Sequence, residues 1–96
     1  AVIVNNGTYG TIRMHQERDY PGHVIATDIT NPDFVLFAQS FGAFGERVEK
    51  TEEFGKVFER ARASGRPALI ELMVDKEAIT PSATLTGIRE AAVLQE

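Results

Sequence analysis

Residues 1–10 read AVIVNNGTYG, and the fold is decided where the apolar run Val2, Ile3 and Val4 breaks into Asn5, Asn6, Gly7 and Thr8. Three successive β-branched residues with no polar alternation predict a strand covered on both faces, most often a parallel one. Such a strand needs neighbours, and only Ala1 precedes it. The expectation is therefore a sequence cut from a longer chain, with further strands upstream.

Downstream, helices and strands alternate. In NPDFVLFAQSFG, Asn31 reads as an N-cap, Pro32 as the first helical residue and Gly42 as the terminator, with Phe34, Phe37, Ala38 and Phe41 as a core stripe. A short strand is expected around Arg47 and Val48. TEEFGKVFERARASG then predicts a helix capped by Thr51 and closed by Gly65, with Phe54, Val57, Phe58 and Ala61 inward and Glu59, Arg60 and Arg62 solvated. Ala68 to Val74 is apolar apart from Glu71, as in an interior parallel strand. Thr80 and Pro81 are read as the start of a terminal helix. This order predicts an α/β, three-layer parallel-sheet fold with right-handed crossovers. Only three strands are expected, which again points upstream.

Composition narrows the partners. Ninety-six residues with 43% apolar content can build one modest core. A net charge of −4 without any block of Lys or Arg argues against nucleic acid or an anionic membrane. The absence of cysteine removes disulfides and thiol chemistry. No run approaches the roughly 18 apolar residues of a membrane span, and the first residues lack a signal-peptide pattern. Cytoplasmic placement is the resulting expectation.

In open α/β sheets ligands bind beyond the carboxyl ends of strands, where loops lead into helix N-termini. Asn6-Gly7-Thr8-Tyr9-Gly10 occupies such a place, and the helix beginning near Tyr9 to Thr11 would aim N–H groups at an anion. Asn and Gly also fill ordinary turns. The residues alone leave both readings open, and no Walker loop or G-x-G-x-x-G decides between them.

VIVNNGTYGTIRMHQE resembles the second half of the cofactor motif of thiamine-diphosphate-dependent enzymes of the acetolactate synthase, pyruvate decarboxylase and benzoylformate decarboxylase group. The similarity continues through TNPDFVLFAQSFGAFGERVE and GRPALIELMVD, and so covers nearly the whole chain. The resemblance implies that residues 1–96 are the C-terminal portion of a thiamine-diphosphate-binding domain, with the upstream G-D-G half absent. It implies a Mg²⁺ held by the Asn6 side-chain oxygen and the Thr8 main-chain carbonyl. It also implies a diphosphate facing Asn6, Gly7, Thr8, Tyr9, Gly10, Thr11 and Ile12. The expected activity is decarboxylation or carboligation of a 2-keto acid, with the particular acid left open. The expected partners are the remaining domains of the chain and a second subunit.

The family's activating glutamate lies in a separate domain, and no residue here matches it. Glu17, Glu46 and Glu71 are read as surface charges, or for Glu71 as a locally paired group. His15 faces either a substrate cavity or solvent, and His23 is read as part of a surface crossover. A second class of function stays compatible with the residues: a non-catalytic α/β binding module whose Asn-Gly turn is only structural.

Overall fold

The computed structural model describes residues 1–95; Glu96, the last residue of the expected terminal helix, lies outside them. The chain forms two compact units. The first comprises Ala1–Asn5 with Asn31–Val74, and the second Asn6–Thr30 with the described residues from Asp75 on.

The first unit is built on strands β1 (Val2–Asn5), β2 (Phe44–Val48) and β3 (Ala68–Met73), all parallel in the order β1-β3-β2. The β3 strand is central, as its near-continuous apolar run predicts. Side chains alternate between faces along a strand, and the register places Phe44, Glu46 and Val48 on the same face as Ala68, Ile70 and Leu72. Val48, Ile70, Val57 and Ala61 form the buried cluster there, the last two contributed by helix α3 (Phe54–Ala63). Each fully buried Val or Ile in it contributes about 1.5–3 kcal/mol. The opposite face carries Gly45, where a Cβ atom would meet the Val35 carbonyl at 2.9 Å and the Ala38 Cβ at 3.3 Å. Gly45 therefore lets helix α2 (Phe34–Ser40) approach the sheet closely. The result is the expected three layers, with α2 and α3 on opposite faces.

Several expectations are corrected. Val2 and Val4 are exposed, because β1 lies at the sheet edge and α3 covers β2 and β3. Only part of the predicted α2 stripe is core: Ala38 is buried, whereas Phe37 and Phe41 are exposed and stack edge-on to each other at 5.2 Å. The helix meets the sheet through Val35 and Ala38, which turns Phe37 and Phe41 outward. Phe58 is likewise exposed on α3. The α2 cap is Asp33, whose Oδ1 accepts from the Leu36 N–H at 3.1 Å. Asn31 instead donates to Asn5 Oδ1 at 2.9 Å, and Pro32 lies before the cap. Thr51 to Glu53 form a 3-10 turn ahead of α3, with no side-chain cap. The β2 strand is longer than expected because Gly45 serves close packing rather than ending the strand. Glu46 is not a free surface charge, since Arg60 holds it with two bonds of 2.8 and 2.6 Å.

The second unit packs helix α1 (Gly10–Asp19) with helix α4 (Leu85–Leu94), beside a small antiparallel pair, β4 (Ala78–Thr80) and β5 (Ala83–Thr84). The expected helix start at Thr80 and Pro81 is thus a hairpin turn. Thr84 is the actual cap of α4, its hydroxyl accepting from the Gly87 N–H at 3.1 Å. The Glu77 carboxylate adds a bond from the Thr86 N–H at 2.9 Å. Leu85 is the buried anchor of this helix.

Four carboxylates in these units titrate below the usual range. Hydrogen bonding does it in each case: the Arg18 guanidinium on Asp19, the Leu36 N–H on Asp33, the Arg60 guanidinium on Glu46, and the Thr86 N–H on Glu77. A carboxyl depressed by folding stabilises the folded state above its unfolded pKa, about 4, and loses that contribution as pH falls through the lower folded value. The melting temperature should accordingly hold between pH 5 and 7 and drop below about pH 4. Equal melting temperatures at pH 6 and pH 3 would contradict this assignment.

Candidate functional site

The turn after β1 lies wholly within the second unit. Gly7 has a φ of +66°, a left-handed conformation that glycine adopts without a Cβ penalty. The reversal brings the Thr8 N–H to Asn6 Oδ1 at 3.2 Å. Thr8 then forms an antiparallel bridge with Asp28. The bonds of this bridge run from the Tyr9 N–H to the Thr27 carbonyl at 2.8 Å and from the Ile29 N–H to the Gly7 carbonyl at 3.0 Å.

This is the non-hydrogen-bonded type of antiparallel pair, in which the bridged residues turn their own N–H and C=O groups away from each other. The N–H and C=O of one extended residue point to the same side. The Thr8 carbonyl therefore faces the side on which Asn6 Oδ1 already receives the Thr8 N–H. An amide oxygen has two lone pairs, so Asn6 Oδ1 retains acceptor capacity. Two neutral oxygens, from Asn6 and Thr8, are thus turned to one side of the turn.

The side chain of Thr8 points the other way. It is buried, and its hydroxyl donates to the Thr27 carbonyl at 2.7 Å. Helix α1 starts immediately after the turn. Its N-cap, Tyr9, makes no side-chain capping bond, and the first turn contains no acidic residue. The first-turn amides and the positive end of the helix dipole are suited to an anion. At Gly10 space is tight: a Cβ atom would lie 3.1 Å from the Asn6 amide nitrogen, so the Asn6 side chain would have to shift by a few tenths of an ångström to admit it. Tyr9, Thr11 and Ile12 are exposed beside it.

The seven residues singled out in the sequence form this one continuous turn and helix start. His15 is exposed on α1 and accepts from Arg18 Nη2 at 2.7 Å through Nδ1, while His23 is exposed in the following loop. Among the described residues no group of three or more His, Asp or Glu side chains is placed to hold a metal ion. Mg²⁺ takes six oxygens and usually at least one carboxylate. The turn fits part of such a shell, and the negative charge must come from elsewhere.

Glu71 is paired, as expected: it is buried on β3 and accepts from Arg47 Nε at 2.7 Å and from Asn5 Nδ2 at 2.8 Å. Glu17 corrects the sequence reading, being buried rather than on the surface. It accepts from the Gly22 N–H at 3.3 Å and lies 3.5 Å from Arg13 and 3.7 Å from Arg89. Thr27 and Gln16, which back the turn, were not identifiable from the sequence. Gln16 lies near the end of the quoted motif stretch with no role of its own there, Thr27 lies outside it, and only the bridge brings Thr27 to Thr8. No helix among the described residues is long and apolar enough to cross a membrane.

Residues 1–72 match the family described as thiamine pyrophosphate enzyme, C-terminal TPP binding domain. YdaP of Bacillus subtilis (strain 168), named as a thiamine pyrophosphate-containing protein, is 33% identical over 87 residues, covering 90% of this chain and 15% of that protein. The acetolactate synthase large subunit of Corynebacterium glutamicum is 33% identical over 82 residues, covering 79% of this chain and 13% of the relative. An acetolactate synthase of Bacillus subtilis is 32% identical over 74 residues, covering 77% and 13%. The chain spans 13–15% of the length of these curated relatives.

Proposed function

The chain belongs to the thiamine pyrophosphate enzyme family, matching its C-terminal cofactor-binding domain, and we propose that Asn6 to Ile12 form the part of the cofactor pocket that meets Mg²⁺ and the diphosphate. One observation carries this reading: the Thr8–Asp28 bridge turns the Thr8 carbonyl to the side of Asn6 Oδ1. These two oxygens would hold the metal, and the amides opening α1 would meet the diphosphate. When bound, thiamine diphosphate supplies the electron sink for chemistry on a 2-keto acid. The turn's task is placement. Asn6 and Thr8 set the metal, Gly10 leaves room for the Asn6 side chain, and Tyr9 and Ile12 present exposed surface beside the anion site.

The wider activity is proposed from the same resemblance. The chain acts as the C-terminal part of a longer cytoplasmic enzyme that decarboxylates or ligates 2-keto acids, in the manner of acetolactate synthase. A carboxylate from another segment completes the metal shell, and a second subunit of a homo-oligomer completes the site. Calorimetry on the full-length protein tests this. Thiamine diphosphate should bind when Mg²⁺ is present and much more weakly after chelation, and a 2-keto acid should be consumed. Failure to bind thiamine diphosphate with Mg²⁺ present would overturn the proposal.

The 96-residue chain alone holds only part of this metal shell. Micromolar affinity corresponds to about 8 kcal/mol, which two neutral ligands and a few amides do not supply. Calorimetry on the isolated chain should show no tight binding of thiamine diphosphate with Mg²⁺. Sub-micromolar, Mg²⁺-dependent binding there would refute the half-site reading.

A further inference from the structure

We propose that Gln16 and Thr27 are positioning residues for the metal-facing side of the Asn6–Thr8 turn; this deepens the cofactor-site reading and rests on it. The Thr27 carbonyl is the point from which the turn is held. It accepts from the Thr8 hydroxyl at 2.7 Å and from the Tyr9 N–H at 2.8 Å. Both bonds pull Thr8 inward by its side chain and the following amide, which leaves its own carbonyl on the opposite side.

The Thr27 carbonyl is itself fixed by Gln16. The Gln16 carboxamide uses both of its ends, donating from Nε2 to the Ile25 carbonyl at 2.9 Å and accepting at Oε1 from the Thr27 hydroxyl at 3.2 Å. Between those contacts Ala26 has a φ of +57°, a left-handed conformation that residues other than glycine rarely adopt. Backbone of this kind persists where its surroundings over-determine it. Here Gln16 grips the loop on each side of Ala26, and Thr27 is 2% exposed beneath the turn. Gln16 lies on α1, the helix that the turn opens. One helix thus supplies the first-turn amides and the grip on the loop behind Thr8.

The test uses the full-length protein and two readouts. The first is the Mg²⁺ concentration for half-saturation at saturating thiamine diphosphate. The second is hydrogen exchange of the Tyr9 amide in cofactor-free protein. Outer contacts that orient metal ligands typically change metal affinity by about 10- to 100-fold. Gln16→Leu should raise the Mg²⁺ half-saturation about tenfold and speed Tyr9 exchange, with the KM for the 2-keto acid unchanged. Thr27→Val, which removes only the hydroxyl, should shift both readouts in the same direction by less, and Thr27→Ser should restore them. If Gln16→Leu does not fold, the Thr27 pair decides. A lower melting temperature with Mg²⁺ half-saturation and Tyr9 exchange unchanged would mean a purely structural role and overturn the proposal. Asn6→Ala separates the two levels. A shift in that variant with none in Gln16→Leu or Thr27→Val overturns the positioning role alone. No shift in Asn6→Ala overturns the metal reading and this proposal with it.

Discussion

Asn6→Ala in the full-length protein should raise the Mg²⁺ requirement by on the order of 100-fold or more, since even outer-sphere contacts are typically worth about 10- to 100-fold and this change removes the proposed direct ligand. Turnover should fall with it, and excess Mg²⁺ and thiamine diphosphate should restore only part. The alanine also removes the acceptor for the Thr8 N–H, so the turn loses its internal bond as well. Thr8→Ala is the contrasting case. Its carbonyl remains, and the lost hydroxyl bond to Thr27 is worth about 1 kcal/mol. The Thr27 carbonyl still receives the Tyr9 N–H, so no buried acceptor is left bare. Metal affinity should therefore change only a few-fold, with a modest loss of stability. Magnesium titrations of both variants decide the matter. Equal, large losses at the two positions would mean that the threonine hydroxyl is the ligand, which its burial against Thr27 argues against.

What could be read in the sequence follows from how local each cause is. The central strand β3 and the left-handed Gly7, Gly42 and Gly65 are set by short-range composition and backbone sterics, and they stand where the residues point. The turn opened by Asn6 and Gly7 was legible for the same reason, while its extension to Ile12 as a cofactor site came from the family resemblance. Burial was less legible because it depends on what an element packs against. The spacing of Phe34, Phe37, Ala38 and Phe41 is helical, but the close approach at Gly45 selects Val35 and Ala38 as the buried side. Asp33 and Asn31 are both good caps by type. A distant partner, Asn5, takes the Asn31 amide and leaves Asp33 as the cap. The β4–β5 hairpin was hidden because Thr-Pro fits a helix start as well as a turn. Thr27 comes to Thr8 through a bridge between residues 20 positions apart in sequence, and no periodicity announces such a contact.

Glu17 shows the same limit with the larger energetic consequence. By pattern it is one more charge on a polar helix, yet it is 1% exposed between Arg13 and Arg89. Arg13 is itself largely buried, with its Nε lacking a hydrogen-bond partner and its Nη1 3.5 Å from Asp28. Glu17→Ala would leave two guanidinium groups facing a space with no counter-charge between them. Breaking a buried ion pair by removing one partner costs roughly 3–5 kcal/mol. Arg89 is 40% exposed, so water takes up part of its charge, and the lower end of about 3 kcal/mol applies. Hydrogen exchange in the full-length protein should register this as a fall of that size in the opening free energy of the α1 amides. Glu17→Gln keeps an acceptor for the Gly22 N–H and should recover about 1 kcal/mol of it. Glu59→Gln, in an exposed pair on α3, should stay within about 0.5 kcal/mol of the parent. An α1 as protected in Glu17→Ala as in the parent would show that the carboxylate is not what holds the helix. In that event the stability of the segment opening at Asn6 must rest on the packing of α1 with α4 and the bonds to Thr27 instead.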